Sequence, residues 1–266
     1  MNKKAEELGL KNSHFLTPHG LDKEEHYTTA YELALITNYA LNIEKFAEIV
    51  NTKTYTVNIN GRSKTIRNTN ELLGYLNGVN GVKTGFTNGA GRCLVTSISR
   101  NGFDIITVVL GSDTKKFRTK DSISLIEYTY SNYELINLEE IIDEKYEEWD
   151  KINRKRIYIN KSKNHNIETK LEDYNNKLYP IKKDKIKDIN IEIKSIRLNF
   201  EAPVDNGEKI ADIVLKIGDK EIIKTRIIIN SNVKRKGVKD YIKQCLTCIR
   251  WNRIWTDNSR DCPELS

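Results

Sequence analysis

Long apolar runs are missing from this 266-residue chain. No stretch approaches the about 18 apolar residues of a membrane-crossing helix. The opening Met1-Asn2-Lys3-Lys4-Ala5-Glu6-Glu7-Leu8 is basic, but no apolar core follows it, so it does not read as an export signal. As written, the chain is expected in the cytoplasm. Cysteine is scarce: Cys93 stands alone in the body, and Cys245, Cys248 and Cys262 crowd the end. One isolated body cysteine excludes a disulfide framework. Cys245-x-x-Cys248 has the form of a zinc or redox pair. However, Cys262 follows 14 residues later without a paired ligand, and no histidine occurs after His165. These cysteines are given no role, and neither a metal nor a cofactor is expected. His14, His19 and His26 share one loop, at a spacing that fits no zinc pattern. Repeats of 20–50 residues are absent, which excludes a solenoid.

Charge is plentiful. Charged residues make up 30% of the chain and hydrophobic ones 38%, enough for a core under a very polar surface. The net charge of +7 favours anionic partners such as nucleic acid, acidic lipid or a cell-wall polymer, but a solvated lysine-rich surface is the preferred account of it. No helix-turn-helix, finger or RNA-binding signature is present, so no nucleic-acid partner is expected.

Periodicity divides the chain. Residues 5–8 read as the end of a helix stopped by Gly9. Thr28 or Thr29 can cap a helix over 30–41, and 43–50 reads as a second. Residues 53–59 and 62–67 flank Asn60-Gly61, a strong hairpin signal. A strand over 81–87, a hairpin of 92–100 with 103–110, and a helix over 117–133 follow. An acidic stretch, 136–150, reads as a linker. Strands are predicted at 156–159, 189–198, 210–217 and 221–229, giving a small β domain over 151–230. Residues 231–266 read as a poorly ordered tail, although Tyr241, Ile242, Leu246, Ile249 and Trp255 could meet a membrane surface.

The chemistry lies in Gly78-Val79-Asn80-Gly81-Val82-Lys83-Thr84-Gly85-Phe86-Thr87. Lys-Thr-Gly on a strand is the third signature of penicillin-recognising serine hydrolases. Alternation puts Lys83 and Gly85 on one face. With no side chain at Gly85, a peptide can lie close beside Lys83 and pair with the strand. Lys83 supplies positive potential, Thr84 a hydroxyl donor, and the Phe86 backbone N–H can point at a developing oxyanion.

The surrounding residues extend the match. They include Leu8-Gly9-Leu10-Lys11-Asn12-Ser13-His14-Phe15, Thr17-Pro18-His19-Gly20-Leu21-Asp22 and Tyr27-Thr28-Thr29-Ala30-Tyr31-Glu32-Leu33-Ala34. Asn68-Thr69-Asn70-Glu71-Leu72-Leu73, Ala90-Gly91-Arg92-Cys93-Leu94-Val95 and Val108-Val109-Leu110-Gly111 follow in order. With these, residues 5–133 resemble the low-molecular-mass penicillin-binding proteins, the serine-type D-alanyl-D-alanine carboxypeptidases. Glu201-Ala202-Pro203-Val204 and Gly207-Glu208-Lys209-Ile210 resemble that family's C-terminal β domain. The resemblance implies an α/β (α+β) fold. Residues 1–135 would be the C-terminal portion of a β-lactamase/transpeptidase-like catalytic domain with an antiparallel sheet, and a small all-β domain would follow. It implies removal of the terminal D-alanine from cell-wall pentapeptides through an acyl-serine, β-lactam binding, and an extracytoplasmic, membrane-associated location. Lys83, Thr84 and Gly85 take the motif positions, Phe86 the oxyanion-hole position, and Arg118 that of a basic residue holding the substrate carboxylate.

Two parts of the family pattern are missing. A Ser-x-x-Lys nucleophile and a Ser-x-Asn motif should precede the Lys-Thr-Gly strand. Only Ser13 and Ser63 lie upstream of Lys83, and neither fits. Ser112-Asp113-Thr114-Lys115, Ser231-Asn232-Val233-Lys234, Ser99-Arg100-Asn101 and Ser162-Lys163-Asn164 match by spacing, but all lie downstream, in the wrong order. The expectation is an N-terminally truncated family member, inactive alone. The alternatives are assembly with a separately encoded half and a non-catalytic cell-wall peptide-binding protein.

Overall fold

The computed structural model describes residues 1–163, 167–175, 177–243 and 245–246. The chain divides into two compact units, Met1–Glu134 and Leu135–Ser266.

The first unit opens with α1 (Asn2–Glu7), which ends where Gly9 takes a φ of +72°. α2 (Ala30–Leu41) begins at Thr29, whose hydroxyl accepts from the Glu32 backbone N–H at 3.2 Å. Glu32 is buried at the first turn of α2. Its carboxylate accepts from the backbone N–H groups of Lys11 and Asn12, both at 2.9 Å, and from the Ser13 hydroxyl at 2.5 Å. One carboxylate thus ties the loop after α1 to α2, leaving the loop's donors satisfied. α3 (Glu44–Asn51) leads to a hairpin of β1 (Thr54–Ile59) and β2 (Arg62–Arg67). Asn60 and Gly61 both take positive φ at its turn, as a two-residue hairpin requires. This hairpin is a sheet of its own, and none of its residues is buried.

The main sheet of this unit has the order β3-β4-β5, all antiparallel: β3 (Val79–Thr87), β4 (Gly91–Arg100) and β5 (Phe103–Ser112). α4 (Lys115–Asn132) starts at Thr114, whose hydroxyl accepts from the Phe117 N–H, and packs on β4 and β5. Ile126 of α4 meets Leu72, Val79, Leu94 and Ile98 in the core. Tyr130 seals one end by donating to the Phe103 carbonyl at 2.7 Å.

The second unit corrects two sequence expectations. Residues 136–150, read as a linker, form the end of β6 (Tyr133–Asn137) and most of α5 (Leu138–Asn153). Asn137 caps α5 by accepting from the Glu139 N–H, and Leu138, Ile142 and Trp149 are buried in the unit's core. Spacing of three and four between apolar residues outweighs the acidic composition, because most of the acidic groups lie on the solvent face and the buried one, Asp150, is bonded by Thr169 and Arg154. Residues 231–266, read as a tail, begin inside the fold. Val233 is buried and exchanges backbone hydrogen bonds with Val204, and residues 238–243 are helical. Ile249, Trp255, Cys248 and Cys262 lie outside the described residues.

β7 (Tyr158–Asn160), β8 (Thr169–Leu171), β9 (Leu178–Lys182), β10 (Ile189–Lys194), β11 (Asn199–Glu201), β12 (Lys209–Ile217) and β13 (Lys220–Ile229) complete the unit. Its main sheet has the order β10-β12-β13-β8, with the small pairs β11-β7 and β6-β9 beside it. β10 ends earlier than the expected 198 because Ser195 takes a positive φ and breaks the extended run. The core is built on β12 and β13, where Ile210, Ile213, Leu215, Ile227 and Ile229 are fully buried.

Candidate active site

β3 pairs with β4 on one side only, so it is an edge strand of the described sheet. Its first half is buried through Val79, Gly81 and Val82, and its second half is open. The change comes at Lys83. Lys83 and Gly85 are exposed and Thr84 is half-buried, as the alternation predicts. The Lys83 ammonium bonds the Thr84 carbonyl and forms no ion pair among the described residues. It therefore keeps positive potential on the open edge.

Gly85 lies opposite Cys93 on β4. An added Cβ would sit 3.6 Å from the Cys93 Cβ, an ordinary contact, and the Gly85 φ is not positive. Nothing inside this chain demands glycine there. Gly78 is the contrast: its φ is +89° and a Cβ would lie 2.3 Å from the Ser99 carbonyl oxygen, so its glycine is a folding requirement. The Phe86 ring is half-exposed under the Arg92 guanidinium, 3.6 Å from the ring centroid. Beyond it, the Thr87 hydroxyl donates to Asp22 at 2.6 Å and accepts from the Ala90 N–H, closing the turn into β4.

A segment that motif reasoning left without a role holds this strand. In Asn68-Thr69-Asn70-Glu71, three successive side chains act on the site. The Thr69 and Thr84 hydroxyls are 2.7 Å apart. Asn70, buried, donates from Nδ2 to the Gly81 carbonyl at 2.8 Å and accepts from the Leu72 N–H. The Glu71 carboxylate accepts two bonds from Arg118 Nη2, at 2.6 and 2.7 Å, and a third from the Thr119 hydroxyl.

That last contact bears on Arg118, the residue the resemblance assigns to a substrate carboxylate. Its side chain is only 4% exposed, and the Glu71 carboxylate sits on its Nη2. Its Nη1 also reaches the Cys93 carbonyl at 3.5 Å. In this structure its partner is Glu71, and it offers no open donor face to a ligand. Burial raises the Glu71 pKa, but the bonds from Thr119, its own backbone N–H and Arg118 outweigh this and hold it below the usual carboxylate range. A surface cavity beside this pair is lined by Glu71, Tyr75, Lys115 and Thr119, and by no residue of the Lys83 strand. The candidate site is therefore an open strand edge. Among the serines that matched by spacing, Ser112 closes β5, which is not the start of a buried helix.

Comparison with known proteins finds two family matches along the chain. Residues 1–114 match the D-alanyl-D-alanine carboxypeptidase family, and residues 145–235 match the C-terminal domain of penicillin-binding protein 5. The chain is 30% identical to the D-alanyl-D-alanine carboxypeptidase DacF of Bacillus subtilis, over 92% of this chain and 61% of that protein. It is 28% identical to DacA of Haemophilus influenzae, over 90% of this chain and 58% of that protein. The crystal structure of penicillin binding protein 5 from Haemophilus influenzae matches with a TM-score of 0.61 and 25% identity, covering 88% of this chain and 64% of that one. The chain thus spans about three fifths of the length of the curated relatives it matches.

Proposed function

Because the chain belongs to the serine-type D-alanyl-D-alanine carboxypeptidase family of low-molecular-mass penicillin-binding proteins, we propose that its β3 edge is the wall that receives a cell-wall peptide ending in D-alanyl-D-alanine. The single observation that carries this is the open edge at Lys83-Thr84-Gly85, with a glycine that the fold itself does not require. An incoming peptide would add a strand to that edge. The Lys83 ammonium draws its carboxylate, and the Phe86 N–H takes the oxyanion position that the family pattern gives it.

We further propose that these 266 residues alone do not complete the acyl transfer. The step needs a hydroxyl with a base beside it, and no Ser-x-x-Lys or Ser-x-Asn precedes Lys83. Peptide binding without turnover is therefore the activity of this chain by itself, and cleavage and β-lactam acylation belong to it only with such a nucleophile supplied. Its work is placed at the outer face of the cytoplasmic membrane, where that peptide occurs. The exposed Val238, Tyr241 and Ile242 of the helical residues 238–243, with the exposed Leu246, suit the membrane surface there.

The test is direct. The purified chain is incubated with a fluorescent penicillin, then titrated with an acetylated peptide ending in D-alanyl-D-alanine. The expected results are no covalent label and saturable binding. In Gly85→Ala, binding is expected to weaken about tenfold, or about 1.4 kcal/mol, with an unchanged circular-dichroism spectrum. Labelling at a serine would refute the first part. Binding that ignores the Gly85 methyl would refute the second.

A further inference from the structure

The β1–β2 ribbon and its flanks carry charge of one sign. Between Glu48 and Glu71 the chain has four cations, Lys53, Arg62, Lys64 and Arg67, and no carboxylate. All four are exposed, and none forms an ion pair among the described residues. On the strands of the second unit, by contrast, Arg226 meets Glu172 and Lys216 meets Glu192. Unneutralised charge gathered on one element draws an anionic partner.

Strand register sorts the ribbon into two faces, since directly opposed residues share a face. One face carries Tyr55 with Ile66, Val57 with Lys64 and Ile59 with Arg62. The other carries Thr54 with Arg67, Thr56 with Thr65 and Asn58 with Ser63. The first is apolar and basic, the second is rich in hydroxyls, and cations stand on both. A groove of about 460 Å³ between α3 and the ribbon is lined by Ile49, Tyr55, Ile66, Lys53 and Arg67. The carboxylate beside it, Glu48, is bonded by Lys45 at 2.8 Å.

These faces discriminate among polyanions. A flat bilayer meets one face of a ribbon, and here the cations occupy two. Single-stranded nucleic acid stacks its bases on successive aromatic side chains, and Tyr55 is the ribbon's only aromatic. A flexible chain of polyol and phosphate has the matching parts: a negative charge in each repeat, hydroxyls for the threonine face, and short hydrocarbon links for the groove. We propose that the β1–β2 ribbon is a docking surface for a linear polyol-phosphate polymer of the cell wall. The choice of polymer rests on the reading of this chain as a cell-wall protein, and the ribbon is separate from the β3 edge. Docking there holds the chain among the peptides of the same wall.

The probe is poly(glycerol phosphate), titrated calorimetrically into the full chain at about 50 and about 200 mM sodium chloride. Saturable binding that weakens with salt is expected. Arg62→Gln with Lys64→Gln should weaken it about tenfold at the lower salt and reduce the logarithmic salt slope by about two, one for each phosphate contact removed. Lys53→Gln with Arg67→Gln is a second pair expected to act in the same direction, and amide spectra separate misfolding from lost binding. Lys170→Gln with Lys220→Gln removes the same charge from the second unit and should stay within about twofold. Absent polymer binding, an equal loss in that control pair, or equally tight binding of polyuridylate of the same charge would overturn the proposal. Binding to phosphatidylglycerol vesicles should survive both ribbon pairs; its loss would give the ribbon to the membrane and overturn the polymer. Binding of the D-alanyl-D-alanine peptide should be unchanged in every ribbon variant. Peptide binding without polymer binding would sink this inference alone, and polymer binding without peptide binding would sink the β3 reading alone.

Discussion

Glu71 shows how a single side chain can tie a site to stability. Its carboxylate is 27% exposed, while the Arg118 guanidinium it holds is 4% exposed. Removing one partner of such a pair strands the other charge. Glu71→Gln is therefore expected to destabilise the first unit by about 3 kcal/mol, the low end for a broken buried pair because Glu71 keeps some solvent. The pH dependence has a definite sign. Its folded pKa lies below the unfolded value, so the stabilisation is complete above the ordinary carboxylate range and is lost as pH falls through the folded pKa. Urea midpoints should fall on acidification below about pH 5, and less steeply in Glu71→Gln; equal midpoints for the two proteins at neutral pH would contradict this. Lys83, Thr84 and Gly85 were legible in the sequence because they are contiguous and sit in a known pattern. The partners Thr69 and Glu71 were not, because they reach Thr84 and Arg118 across 15 and 47 residues and leave no local period.

At the scale of elements, α5 teaches the same lesson from the other side. Its cap at Asn137, its acidic first turn and its apolar residues at 138, 142 and 149 are all ordinary helix signals. Acidic composition hid them, and only packing against the β domain shows which face is buried. Ile142 is fully buried there. Ile142→Ala is expected to cost about 2–5 kcal/mol in the second unit, read by Trp149 fluorescence during denaturation. A change below 1 kcal/mol would return α5 to the status of a linker. The hairpins at Asn60-Gly61 and Asn101-Gly102 were legible because positive φ at both turn positions strongly selects this dipeptide. Three-residue strands such as β8 and β11 were not, since alternation needs more residues to be seen, and β7 was met only in part by the strand expected at 156–159.

Across the whole chain, the two units differ in what holds them. Among the described residues, the buried core cluster of the first unit has 5 members and that of the second has 17. Burial of apolar surface is the main favourable term in folding, so the units should open separately. Hydrogen exchange in rising urea is expected to show amides of β3, β4 and β5 losing protection before those of β12 and β13; simultaneous loss would mean one cooperative body. Tyr27, Tyr31, Tyr55 and Tyr75 add more than half-exposed aromatic surface to the first unit, which a larger assembly would have reason to cover. The β1–β2 hairpin is the extreme case. It has no buried residue and no third strand, and such a ribbon is marginal in water. Its turn is therefore the place where foreign sequence can be spliced into this protein at least cost: a tag or a reporter domain set between Asn60 and Gly61 would ride on a ribbon that the core does not depend on.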